Sequence, residues 1–472
     1  MLWRFLGLVA LAASAAGCCD DTAATALDDT TVTDSTVADT GDADLDSADT
    51  EFDVADTVPD TSDTDTDTDS GGGADTAVDT RHLPTLSSGA SPCENPDYWP
   101  YAVASSSHPF VVRYQEISDR HEADRVRRFV ETAWTAQVDS WGMRAPLDDS
   151  GDCGDSGDFD VFLWRGQRAN FVDELAEVPT TPINDRTTYM VVDPWGEYAG
   201  AALASLVAHE LHHAFQATDD WWDITIAYEM SATFAESRIF ADDGWAFVLD
   251  DFQSRADHAL DWDDGYETYY MYGASLYLHF LSERYFGGDV AFIGSLWQTM
   301  RSPAGAETDA SLNEPDFADG IDTVLAEVDS SYVASIVAFA RWRWFMGQRD
   351  DGQHLEDAAR YGNSPVVPTR VVRVADGGAT LSPAPMLLGS IYLTLAGAPG
   401  STVTISVTGD DVAWTVQAVD AAEDDSVTHE TTVVLGDDGL APVVVTAIPL
   451  DPASYDPDTR TDDRYVGLAS WE

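Results

Sequence analysis

The sequence predicts an α+β body, a small sheet with several helices, followed by a C-terminal all-β sandwich. Three observations carry that expectation. Apolar residues recur at helical spacing in several stretches between residues 119 and 346. From residue 366 onward, short β-branched runs such as SIYLTL, TVTISV and PVVVTAI alternate with Gly, Asp and Pro turns. At 472 residues, 44% hydrophobic and with 15 Trp, 17 Tyr and 18 Phe, the chain can bury a sizeable core.

In chain order, residues 2–17 (LWRFLGLVALAASAAG) put one Arg before a short apolar stretch that ends in small residues, so residues 1–17 read as a secretory signal peptide. Ala15-Ala16-Gly17-Cys18 resembles a bacterial lipobox, apart from Ala15, where Leu is usual. That resemblance implies lipidation at Cys18 and an exported, lipid-anchored protein at the outer membrane or cell surface. Residues 18–85 read as a disordered tether: residues 20–80 hold 19 Asp and one Glu with no basic residue, so they repel one another and have little to bury. The Asp repeats lack the turn glycine and bidentate Glu of an EF-hand, which makes calcium a poor reading of them.

Within residues 86–365 the expected order is a strand at Phe110–Tyr114, a helix over Asp119–Trp141, and strands at Asp158–Trp164 and Thr188–Val192. Helices follow at Gly200–Ala217, Ile226–Phe240, Tyr272–Tyr285, Val290–Met300 and Tyr332–Met346. The antiparallel sandwich, residues 366–472, is expected to be a separate domain. Cys93 and Cys153 form an isolated pair, read most simply as a disulfide in an exported protein. The acidic glycine loop at Asp148–Asp158 reads as solvated, with calcium binding as the alternative.

The 85 Asp and Glu against 23 basic residues, all Arg, leave a net charge of −62. Such a surface repels phosphate backbones and anionic head groups, so nucleic acid is excluded as a partner and membrane contact is left to the lipid anchor. A monomer acting on a peptide or protein substrate is the expectation.

His209-Glu210-Leu211-His212-His213 satisfies H-E-x-x-H on a predicted helix. Residues i and i+4 share a helical face, so His209 and His213 can reach one metal ion, with Glu210 facing the same cleft. His212, at i+3, reads as a neighbour rather than a ligand. Glu229 arrives sixteen residues after His213 on the next predicted helix, a carboxylate of the type that completes an open zinc site. Glu236, two helical turns beyond Glu229, can accept a hydrogen bond from a ligating histidine.

These elements, with Tyr270-Met271-Tyr272-Gly273-Ala274 downstream, resemble the gluzincin metallopeptidases and their aminopeptidase N-like pattern of H-E-x-x-H, E-G-x-A-x-x-x-E and Y-x-K-G-A. The arrangement of signal, tether, motif and β-rich tail is also similar to metallopeptidase lipoproteins of Gram-negative bacteria. The resemblance implies a zincin-like peptidase domain over residues 86–365, Zn2+ on His209, His213 and Glu229, and Glu210 as general base. It implies Tyr270 as the oxyanion donor, with Tyr269 and Tyr272 as competitors for that role. It also implies a strand edge beside the zinc helix for the bound peptide, and Tyr189–Val192 is the candidate. Met230 stands where Gly is usual, Tyr272 stands for Lys, and the G-x-M-E-N segment that grips a free amine is missing, which favours an endopeptidase. The competing readings are a catalytically inactive zincin-like binding or adhesion lipoprotein and a calcium-binding surface protein.

Overall fold

A computed structural model describes residues 91–472, except 155, 167–170, 178–180, 197–198, 201, 241–246, 264–266, 307–312, 357–364, 367–369, 410, 421–427 and 458–460. The signal, the tether and Cys18 lie outside the described residues. Among those described, no helix is long and apolar enough to cross a membrane.

The first layer is a five-stranded sheet of β1 (Tyr101–Ala104), β2 (Phe110–Tyr114), β3 (Phe159–Leu163), β4 (Phe171–Glu177) and β5 (Arg186–Val192), in the order β1-β2-β3-β5-β4. Strands β2, β3 and β5 run parallel, while β1 and β4 pair antiparallel at the two edges. Strands β3 and β5 are buried throughout, which is why FDVFL and TYMVV read as strands. Strand β4 (FVDELAE) falls where the sequence predicts only turns. Its acidic residues interrupt any apolar run, a common way to guard a sheet edge.

Helix α1 (Arg120–Trp134) buries Ala123, Val126, Val130, Ala133 and Trp134 along one face. It continues as a π-helical turn, Thr135–Ser140, that points Gln137 into the interior. Helices α2 (Ala202–Gln216) and α3 (Thr225–Ile239) are buried on nearly every side, α2 packing against α1, α3, β4 and β5. Both polar and apolar residues of α2 are therefore interior, and each polar one needs a partner.

The remaining helices are α4 (Leu249–Ser254), α5 (Tyr270–Gly273), α6 (Ser275–Phe286), α7 (Phe292–Thr299), α8 (Phe317–Ala326) and α9 (Tyr332–Trp342). The helix expected at Tyr272–Tyr285 is broken into α5 and α6 at Ala274.

The C-terminal part holds two four-stranded sheets. One is ordered β10-β12-β8-β6, from β6 (Arg370–Arg373), β8 (Ser390–Ala396), β10 (Ala413–Ala418) and β12 (Leu440–Ile448). The other is ordered β11-β9-β13-β7, from β7 (Gly378–Thr380), β9 (Thr402–Thr408), β11 (Glu430–Val434) and β13 (Leu468–Trp471). Alternate residues such as Ile391, Leu393, Val403, Ile405, Val443 and Val445 share one core, as expected of a sandwich. Two corrections follow. The pairing is not wholly antiparallel, because β6 lies parallel to β8. Nor do the sheets stand apart: on the opposite face of β8 and β12, Tyr392 and Val444 pack with Ala256, Ala340 and Val366, and the Tyr392 hydroxyl donates to Ala340 O.

Candidate metal centre

Helical periodicity brings His209 and His213 together on α2, their ring centroids 4.9 Å apart. Helix α3 adds Glu229, whose Oε2 lies 3.2 Å from His209 Nε2 and 3.7 Å from His213 Nε2. The three ligand atoms all fall within 4.8 Å of one another.

The other ring nitrogen of each histidine is also held. His209 Nδ1 stands 3.3 Å from Glu236 Oε2, and His213 Nδ1 stands 2.7 Å from Gln216 Oε1. Gln216 in turn donates from Nε2 to Ser231 Oγ at 2.7 Å and to Tyr228 O at 3.1 Å, tying α2 to α3. An Nδ1 proton given to a neighbouring acceptor leaves the Nε2 lone pair free to bind a metal. Sequence reasoning missed Gln216, although its position three residues after His213 is the available signal.

Electrostatics follow from burial against pairing. Burial pulls the His209 imidazole down, but its hydrogen bonds to the Glu229 and Glu236 carboxylates, with their charge, outweigh it and hold it well above its usual value. Burial pushes Glu229 up, yet the two histidines outweigh it and bring the carboxyl to about 2. Burial raises Glu210, against the pull of His209 and His213.

His212 turns away from this cluster: its Nδ1 stands 2.5 Å from Gln137 Oε1, and Gln137 Nε2 donates to Ala208 O at 3.2 Å. Burial keeps His212 well below the usual histidine range, hence neutral. The π-helical turn that supplies Gln137 leaves no signature in the periodicity.

Two expectations are corrected. Tyr270 points into the body, its hydroxyl donating to Ala259 O at 2.7 Å and its ring packed on Phe252 and Trp262. Tyr272, two residues on and across α5, lies with its ring centroid 6.1 Å from that of His209. Gly273 lets α5 approach α4 closely, since a Cβ there would stand 2.6 Å from Phe252 Cβ and 2.7 Å from Val248 O. Secondly, Tyr189–Val192 belongs to β5, which is flanked by β3 and β4 and presents no edge. The edge is β4, and its Phe171 and Val172 line a cleft with Glu210, His213, Trp221, Tyr228 and Glu229.

Cys93 and Cys153 are joined in a disulfide, so the other cluster that includes Cys153, with Asp149 and Asp160, offers no free thiolate. The Asp149 carboxylate is taken up by the backbone N–H groups of Gly151 and Cys153.

No family model and no curated protein matches the chain. Among solved structures, the pre-peptidase C-terminal domain of a Bacillus anthracis collagenase aligns at 11% identity and a TM-score of 0.15, covering 22% of this chain and 97% of that one. The Aeromonas hydrophila periplasmic inhibitor of g-type lysozyme, PliG, aligns at 18% identity and a TM-score of 0.16, covering 22% of this chain and 100% of that one. Scores this low carry no argument about fold or function.

Proposed function

We propose that the chain is a zinc-dependent, zincin-like endopeptidase, exported and anchored through Cys18. The observation that supports this best is the convergence of His209 Nε2, His213 Nε2 and Glu229 Oε2 with both Nδ1 atoms separately held. Two imidazoles and one carboxylate suit zinc, and three protein donors keep a coordination position open, as catalytic sites require. Bound there, zinc supplies Lewis acidity toward water and a scissile carbonyl.

The chain's own residues do the rest. Glu210, buried beside the two histidines, takes a proton from the attacking water and passes it to the leaving amine. Tyr272, rather than Tyr270, donates a hydrogen bond to the oxyanion, where charge develops only as the bond is attacked. The edge of β4 receives an extended peptide through backbone hydrogen bonds. Phe171, Val172, Trp221 and Tyr228 form the apolar wall for a side chain next to the cleaved bond.

The test is cleavage of a diverse peptide library by the purified protein. Cuts at internal bonds, abolished in Glu210→Gln while zinc stays bound, are expected. Full activity in that variant overturns the mechanism, and zinc binding without any cleavage by the wild type identifies an inactive binding protein instead.

A further inference from the structure

Arg343 is a buried charge without a carboxylate. It follows α9 and is 4% exposed. Its Nε donates to Gln253 Oε1 at 2.7 Å and its Nη2 to Phe252 O at 2.8 Å, both neutral acceptors. Its guanidinium carbon stands 4.2 Å from the Phe252 ring centroid and 5.4 Å from that of Phe339. Among the described residues no carboxylate oxygen lies within 4.0 Å of it.

The surrounding charge does not compensate. Asp257 is engaged elsewhere, its Oδ2 2.5 Å from Arg464 Nη1 and its Oδ1 3.2 Å from His258 Nδ1. The His258 Nε2 faces Arg464 Nη2 at 3.0 Å. Arg343 and Arg349 both act on the Tyr392 phenol, which burial otherwise pushes up. The hydroxyls of Tyr270 and Tyr392 are spent on Ala259 O and Ala340 O. Two guanidinium groups, those of Arg343 and Arg464, thus share the one carboxylate of Asp257, and only Arg464 is in contact with it.

A small, partly open cavity lies beside this group, lined by Arg343, His258, Phe252, Phe339, Leu388 and Ser390, with room for a single small ion or water molecule. Water there satisfies an N–H but leaves the charge unpaired, and an uncompensated buried charge is strongly unfavourable. An organic acid is too large. We propose that this cavity binds a small monovalent inorganic anion of chloride size against the Arg343 guanidinium. The site lies on the Tyr270 side of α5 and does not depend on the proposed metal centre.

The test uses the whole purified protein at constant pH and ionic strength. Replacing methanesulfonate, which is too bulky for the cavity, by chloride is expected to raise the melting temperature in a saturable way by roughly 2 °C. In Arg343→Met the response should vanish. Crystals of the wild type in sodium bromide should give an anomalous peak beside the guanidinium, which keeps the test open even where that variant does not fold. No bromide peak in the cavity, or equal melting temperatures in the two salts, overturns the proposal.

Discussion

Gln216 Oε1 lies 2.7 Å from His213 Nδ1, and the same amide donates across to Ser231 Oγ on the neighbouring helix. One side chain therefore sets the orientation of a proposed ligand and the spacing between α2 and α3. Replacing it by Met keeps the volume and removes these bonds together with the one to Tyr228 O. Zinc affinity is expected to fall about 10–100-fold, measured by competition with a fluorescent chelator. Unchanged affinity would show that Gln216 does not orient His213.

Tyr270 and Tyr272 separate by role. Tyr272→Phe removes the proposed oxyanion donor, so kcat should fall about 100-fold with KM little changed and the melting temperature preserved. Tyr270→Phe removes one of the two donors to Ala259 O and leaves the Trp262 N–H in place, so it should cost about 1 kcal/mol of stability and spare kcat. The reverse pattern would return the catalytic assignment to Tyr270.

How much of this was legible in the sequence depended on range. His209 and His213 are one helical turn apart and Glu229 sits on the next helix, so local spacing sufficed to bring them to one place. The choice among Tyr269, Tyr270 and Tyr272 stays open in the sequence because it depends on the phase of a four-residue helix, which Gly273 seats against Phe252. Strand β4 was missed because an edge strand with acidic residues has no apolar run to announce it, and Tyr189–Val192 took its place in the reading. The sandwich strands were plain from alternation, yet the parallel β6–β8 pairing and the packing of Tyr392 under Ala340 are long-range outcomes that alternation does not encode.

The Cys93–Cys153 bond closes a 60-residue separation and holds the first described segment to the loop after α1. The Trp99 indole donates to Leu163 O at 2.9 Å and Ser91 Oγ to the Tyr189 hydroxyl at 3.5 Å, so the segment has further anchors on the sheet. Changing both cysteines to Ser should destabilise the protein by about 2–4 kcal/mol in denaturant titration. Zinc content should not change, and a loss of zinc would reveal that the disulfide shapes the metal centre.

Asp220 gives a pH signature. Burial raises its carboxyl from 3.8 to about 6, although the Ser302 and Trp222 N–H groups act against it. A raised carboxyl binds more protons folded than unfolded between those values, so its contribution favours folding at low pH and is lost as pH rises from 4 to 6. Asp220→Asn resembles the protonated form throughout. Relative to that variant, the wild type should lose about 2.5 kcal/mol between pH 4 and 7. A difference that stays constant over that range contradicts the assignment.

The central claim is that His209, His213 and Glu229 hold one metal ion, and metal content by mass spectrometry of the purified, dialysed protein tests it most directly. One zinc per chain is predicted, falling below about a tenth in His213→Ala while His212→Ala, at the neighbouring position that faces Gln137, retains metal wherever it folds. No stoichiometric metal in the wild type, or full zinc in His213→Ala, would contradict it.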